Sequence, residues 1–215
     1  MKRDETEVRT TLVEIGRLLY QRRLLTGLSG NISGRIDDEE MVITPTGACK
    51  GMLQASDLLR MRIHDGPVLS DRKPSMETPF HLEFYRNRKD VGGVVHAHPR
   101  FCTALAVTGR RLRTDLTPEG LLVLGDVAFV SYATPGSEEL AKRLELVMKD
   151  HDAFILQNHG AITVGRDVAE AFFKMETLEF LAELQVRTEG AGSPQPLPAD
   201  EVKRILAMSA AHKEK

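Results

Sequence analysis

Cysteine is scarce. Cys49 and Cys102 are the only two in 215 residues, too few for a disulfide framework and in keeping with a reducing compartment. Tryptophan is absent and aromatic residues make up 5%, which removes the stacking platforms on which single-stranded nucleic acids rest. Neither sign of charge dominates: 29 Lys+Arg stand against 31 Asp+Glu, a net charge of −2. That balance argues against nucleic-acid or anionic-membrane partners. No apolar run approaches the roughly 18 residues that span a bilayer, and the opening MKRDETEVRT has no apolar core. No signal peptide is therefore expected, and the cytoplasm is the expected compartment. At this length a chain buries roughly 70–75% of its unfolded surface and needs no metal or disulfide staple. One globular domain over residues 1–215 is expected, and seven histidines are the compositional feature to follow.

Helical spacing of Val8, Leu12, Ile15, Leu18 and Leu19 predicts a helix over 5–25, with Gly27 as its stop. Strands are predicted at 32–36, 41–44 and 58–63, with Val68 and Leu69 as a return. Ser75 is placed to cap a helix to about Arg88, with Glu77 in its first turn. The β-branched run 91–98 predicts a strand. A short helix at 101–107, a strand at 127–132 and a helix over 137–148 follow. Strands at 153–156 and 161–164 flank Gln157-Asn-His-Gly160, Asp167 opens a long helix to about Thr188, and a Gly/Pro-rich linker at 189–198 leads to a C-terminal helix. Short strand connections point to antiparallel pairing, and the fold class expected is a three-layer α/β/α domain with a mainly antiparallel central sheet.

His96 and His98 lie in Val94-Val-His-Ala-His-Pro99. Residues i and i+2 of a strand share a face, so both imidazoles project together, as two ligands of one metal require. A lone HxH pair is also compatible with ordinary core or surface histidines. His159, at a strand end before Gly160, is a candidate third ligand that leaves a fourth position open, the catalytic rather than structural arrangement. Glu77 is the fourth candidate, although an acidic residue in a first turn also simply favours the helix dipole. His81, one turn after Glu77, reads as structural, and His64 and His151 read as solvated. Gly30-Asn31 and Thr46-Gly47 are polar turns with free N–H groups of the kind that form anion nests. Neither matches a nucleotide-binding fingerprint.

Taken together, GNIS (30–33), ITPTG (43–47), PSMETPFH (74–81), GGVVHAHPRFCTAL (92–105), YATPGSEEL (132–140) and LQNHGAITVG (156–165) resemble the class II aldolase/adducin family, on the side of its L-fuculose-1-phosphate aldolase-like enzymes. The resemblance covers residues 5–190. It implies a divalent metal, Zn2+ or another such as Mn2+ or Co2+, held by His96, His98, His159 and Glu77, with Glu77 also the acid/base. It implies a substrate phosphate held by Gly30, Asn31, Thr46, Gly47 and Ser75, and a homotetramer with active sites between subunits. The activity implied is cleavage of a phosphorylated ketose, fuculose-1-phosphate-like or 5-deoxy/5-methylthio-ribulose-1-phosphate-like, to dihydroxyacetone phosphate and an aldehyde.

Three positions depart from the pattern. Met76 stands where the aldolase has a second serine, Thr117 where it has a tyrosine proton donor, and His212 near its C-terminal tyrosine. The 4-epimerase branch acting on L-ribulose 5-phosphate carries aspartate at the metal carboxylate, so Glu77 favours the aldolase side. Sugar-phosphate dehydratases and decarboxylases of the family share the triad and stay open. A non-catalytic adducin-like interaction module is the reading from a different class, and it lacks the metal histidines.

Overall fold

In the computed structural model, residues 2–64, 66–67 and 72–213 are described. The return at Val68–Leu69 and the side chain of His212 lie outside the described residues. Helix α1 (Glu5–Gln21) is capped by Asp4, which accepts from the Thr6 amide, and buries Val8, Leu12, Ile15 and Leu19. It ends earlier than Gly27. Arg23 adopts the left-handed conformation at φ 59; its amide donates to Tyr20 O and that of Leu24 to Leu19 O. This is a Schellman closure, so hydrogen bonding within the last turn stops the helix before the glycine is reached.

Strands β1 (Asn31–Arg35), β2 (Glu40–Ile43), β3 (Leu59–Arg62), β4 (Gly66–Pro67), β5 (Gly93–Ala97), β6 (Ala128–Val130), β7 (Ala153–Leu156) and β8 (Gly160–Gly165) form one sheet in the order β4-β3-β2-β1-β5-β8-β7-β6. Every pairing is antiparallel except β6 with β7, as the short connections predict. The remaining helices are α2 (Thr78–Asn87), α3 (Arg100–Thr108), α4 (Glu138–Glu145), α5 (Val168–Ala191) and α6 (Ala199–Lys213). Ser137 caps α4 and Asp167 caps α5 through their side chains.

Two apolar layers sandwich the sheet. One joins α1, α3 and α5 to Ile32, Val42, Val95, Ala97 and Ile155; the other joins α2 and α4 to Ile43, Met61, Val94, Phe154 and Ile162. The three-layer class is thus observed. Strand alternation sets His96 on the Val94 side, facing α2, where its ring meets Phe80 edge-on at 5.6 Å.

Three details differ from the sequence expectations. Helix α2 begins at Thr78, with Glu77 at its N-cap position and making no side-chain cap bond; that carboxylate is engaged elsewhere. Helix α5 runs to Ala191, three residues into the expected linker, because Gln185 and Thr188 bond within it and back to Arg111 and Arg113. A π-turn at Gly120–Leu124 has no periodicity signal at all.

Helix α1 sits so close to the turn at 50–52 that a Cβ on Gly16 would come within 2.7 Å of Lys50 O. An exposed Gly→Ala in a helix gains about 1 kcal/mol, whereas a backbone clash of this size costs roughly 1–3 kcal/mol. Gly16→Ala is therefore expected to lower stability, read as a reduced urea midpoint at unchanged m; an increased midpoint refutes the close approach.

Candidate metal centre and adjoining cleft

The β1–β5 register sets Asn31 beside His96, and the β5–β8 register sets His96 beside Ile162. His96 is fully buried and donates through Nδ1 to Ala161 O at 2.9 Å, which fixes the ring with Nε2 turned toward the other cluster members. His98 follows directly after β5, on the same face, with its Nε2 3.0 Å from His96 Nε2. His159 arrives from the β7–β8 hairpin, whose turn places Asn158 in the left-handed region at φ 56. Gly160 admits the His98 ring at this corner: a Cβ there would lie 2.6 Å from His98 Cδ2. One nitrogen from each of the three histidines lies within 4.8 Å of the others.

Glu77 completes the cluster. Its Oε2 is 3.1 Å from His96 Nε2 and its Oε1 is 3.3 Å from His159 Nε2. Oε1 is buried without a hydrogen-bond donor, as is His159 Nδ1. Two carboxylate oxygens and the ring nitrogens of His96 and His159 thus meet at contact distance in a buried space. Such a donor set fits a divalent cation, and nitrogen plus carboxylate ligands suit a zinc-type ion. Burial, reinforced by His96, pushes His98 down to about 3 and His159 down to about 4, so both are neutral at pH 7, the form that ligates metal. Burial works to raise Glu77, but His96, Asn31 and His159 outweigh it and hold the carboxyl well below the usual range.

Behind Glu77 lies a chain of buried polar groups that sequence reasoning missed. Asn31 Nδ2 donates to Glu77 Oε2 at 2.8 Å. His81 Nε2 lies 2.6 Å from Asn31 Oδ1, its Nδ1 2.7 Å from Ser33 Oγ, and Ser33 Oγ 2.8 Å from the Tyr85 hydroxyl. Since Asn31 Oδ1 only accepts, His81 Nε2 carries the proton. Its Nδ1 then accepts from Ser33, which accepts from Tyr85. Every donor points toward Glu77. The i, i+4 spacing of Glu77 and His81 was the available signal, and His81 is structural in the specific sense that it orients Asn31.

The residues Gly30, Asn31, Thr46, Gly47 and Ser75 line one cleft of about 200 Å³ with Glu77, His98 and His159. Gly30, at φ 73, is doubly constrained, since a Cβ there would also meet His96 O at 2.6 Å. Ser75 Oγ accepts from the Glu77 amide at 3.3 Å. Met76 and Ser29, the latter from the polar turn Ser29-Gly30-Asn31 expected to form an anion nest, line the same cleft, as do Lys50 and Pro135, which sequence reasoning did not single out. Thr117 is not in this lining; its Oγ1 accepts from the Gly120 amide. His151 is bonded rather than solvated, through Val147 O and Asp126.

Burial holds His81 neutral, with its pKa pushed down to about 3. In the unfolded chain a histidine takes up its proton near about 6.5. The unfolded state thus binds more protons between these values, and stability falls as pH drops through that window. At pH 5 His81 alone accounts for about 2 kcal/mol. With metal stripped, wild type is expected to lose about that much more stability from pH 7 to 5 than His81→Gln. Equal losses refute the neutral His81.

The family described as Class II Aldolase and Adducin N-terminal domain matches residues 10–186. An L-fuculose phosphate aldolase of Methanococcus maripaludis is 38% identical over 175 residues, 81% of this chain and 94% of that protein. A 3-oxo-tetronate 4-phosphate decarboxylase of Escherichia coli is 36% identical over 184 residues, 84% of this chain and 86% of that protein. The crystal structure of YgbL from Escherichia coli superposes with a TM-score of 0.88 at 34% identity, covering 94% of this chain and 99% of that one. A structure of L-fuculose 1-phosphate aldolase superposes at 0.86 and 30% identity, covering 94% and 95%. The three-histidine and carboxylate cluster, the three-layer fold and these likenesses agree: the chain belongs to the class II aldolase and adducin N-terminal domain family.

Proposed function

We propose that this protein is a divalent-metal-dependent lyase that breaks a carbon–carbon bond in a phosphorylated ketose, releasing dihydroxyacetone phosphate and an aldehyde. The observation that carries this reading is the inward-facing set of Glu77, His96, His98 and His159, a carboxylate and three imidazoles gathered in one small buried space. Those residues would hold the ion, for which zinc, manganese and cobalt are the candidates. A bound ion supplies Lewis acidity to the carbonyl oxygen on which negative charge develops.

The chain's own residues do the rest. Gly30, Asn31, Thr46, Gly47 and Ser75 supply amide and hydroxyl donors to the substrate phosphate. Glu77, ionised at neutral pH, removes the C3 proton of dihydroxyacetone phosphate in condensation and returns it in cleavage. Asn31 holds one of its oxygens during that exchange. In cleavage the C4 hydroxyl gives its proton to solvent water, the C3–C4 electron pair moves to C3, C4 leaves as the aldehyde, and Glu77, having taken up a proton from solvent, delivers it to C3. No tyrosine lines the cleft within one chain among the described residues. A homotetramer with sites between subunits, in the cytoplasm, is the setting we propose.

A second reading is favoured by the decarboxylase relatives, which match at nearly the same identity. Loss of carbon dioxide beside a carbonyl leaves the same kind of negative charge for the ion to stabilise and the same carbon for Glu77 to protonate. A panel of phosphorylated ketoses and 3-oxo-tetronate 4-phosphate, with each metal added, separates the two. Release of an aldehyde together with dihydroxyacetone phosphate supports the aldolase. Release of carbon dioxide, which from 3-oxo-tetronate 4-phosphate also leaves dihydroxyacetone phosphate, supports the decarboxylase. Finding neither aldehyde nor carbon dioxide sinks the lyase reading.

Glu77→Gln is expected to keep the fold and lose roughly 10²–10⁴-fold in turnover, with deuterium exchange from solvent into dihydroxyacetone phosphate abolished; undiminished exchange refutes its role. His98→Ala is expected to lose metal and activity together, read by elemental analysis of purified protein. Full turnover in a metal-free variant contradicts the assignment.

A further inference from the structure

We propose that Lys50 is a substrate-binding residue, an ammonium held in the cleft to receive the phosphate of the sugar phosphate. This rests on the sugar-phosphate reading above and adds a charged residue to a pocket otherwise built from neutral donors.

Lys50 is 2% exposed, and lysine is almost never this buried without a partner anion. Its Nζ donates to Leu28 O at 2.6 Å and Ala48 O at 2.9 Å. Among the described residues, the third N–H has no acceptor and no carboxylate forms an ion pair with Nζ. Two carbonyl dipoles satisfy two donors; they do not neutralise a buried charge. Burial accordingly pulls the group down to about 8, opposed by Cys49 and Glu77, so at pH 7 it still carries its proton. An anion in the cleft would supply the missing counter-charge.

The location is built, not incidental. Lys50 lines the same cleft as Ser29, Thr46, Gly47 and Ser75, together with Glu77 of the metal centre. Its two acceptors belong to the two loops that bracket that cleft, at 28 and 48, so the ammonium joins both. The turn that carries it is clamped by α1: besides the Gly16 contact, a Cβ on Gly51 would lie 2.7 Å from the Tyr20 ring. Phosphate is the anion that suits these surroundings, because its terminal oxygens can take the ammonium, the Thr46 and Ser75 hydroxyls and loop amides at once.

The test is calorimetric titration of inorganic phosphate into the metal-loaded full chain. Lys50→Gln retains donors for the two carbonyls but removes the charge; Lys50→Arg retains the charge. Wild type is expected to bind phosphate, Lys50→Gln roughly tenfold to a hundredfold more weakly, and Lys50→Arg within about threefold of wild type. Metal content is expected to stay the same in all three. Lys50→Met carries the same expectation as Lys50→Gln should the latter fail to fold. Phosphate binding by Lys50→Gln equal to wild type overturns the proposal, as does equal weakening in Lys50→Arg, which would make Lys50 only a tether between loops. Absence of phosphate binding by wild type also overturns it. Failure of the lyase reading is seen separately, as no product from the substrate panel while phosphate titration still distinguishes the variants.

Discussion

Three imidazoles and a carboxylate point into one small space, where Glu77 Oε1 and His159 Nδ1 are buried with no hydrogen-bond partner among the described residues. His96 donates its Nδ1 proton to Ala161 O, which holds its Nε2 3.1 Å from Glu77 Oε2 and 3.0 Å from His98 Nε2. Such a set of nitrogen and carboxylate donors suits a divalent cation. Much of the surrounding architecture serves to hold this arrangement together. The β1–β5 pairing delivers Asn31, the β5–β8 pairing fixes His96, the hairpin delivers His159, and α2 starts at Thr78, two residues later than a Ser75 cap would set it, with Glu77 turned inward instead of capping its helix.

The carboxylate is held from behind with one polarity. From the Tyr85 hydroxyl through Ser33, His81 and Asn31, each group donates toward Glu77, and no acceptor in that line is free to take the Asn31 amide away from it. In the proposed role, a base that approaches both an ion and a carbon would need one oxygen fixed and one available. Asn31 bonds Oε2, while Oε1 has no donor. The division of labour between the two oxygens is thus already present in the arrangement of neighbours. The cleft beside it follows the same logic, with neutral donors from two loops and a single buried ammonium joining them.

Aldolase and decarboxylase chemistry differ in the bond that breaks more than in the charge that must be stabilised. That is why one metal cluster suits both and why the relatives divide between them. Discrimination lies with the groups that meet the departing fragment. This chain departs from the aldolase pattern at both ends: beside Ser75 of the phosphate cleft, Met76 stands in place of a serine, and at the aldehyde end Thr117 stands in place of a tyrosine and accepts from the Gly120 amide.

The periodic and local features were readable from sequence because they depend on near neighbours. Strand alternation paired His96 with His98, cap residues announced α4 and α5, and short connections announced antiparallel pairing. The six motifs, read in order, pointed to the family. What sequence could not supply was anything decided across the sheet. His81 looked like a bland helix-face histidine until β1 brought Asn31 and Ser33 against both of its nitrogens. Lys50 carried no signal, since its burial comes from α1 closing over a turn more than thirty residues away. Gly27 looked like a helix stop, yet hydrogen bonds in the preceding turn ended the helix first. Residue types and their spacing set which chemistry was available; tertiary packing decided which groups are dry, which way their protons point, and which charge is left to find a partner.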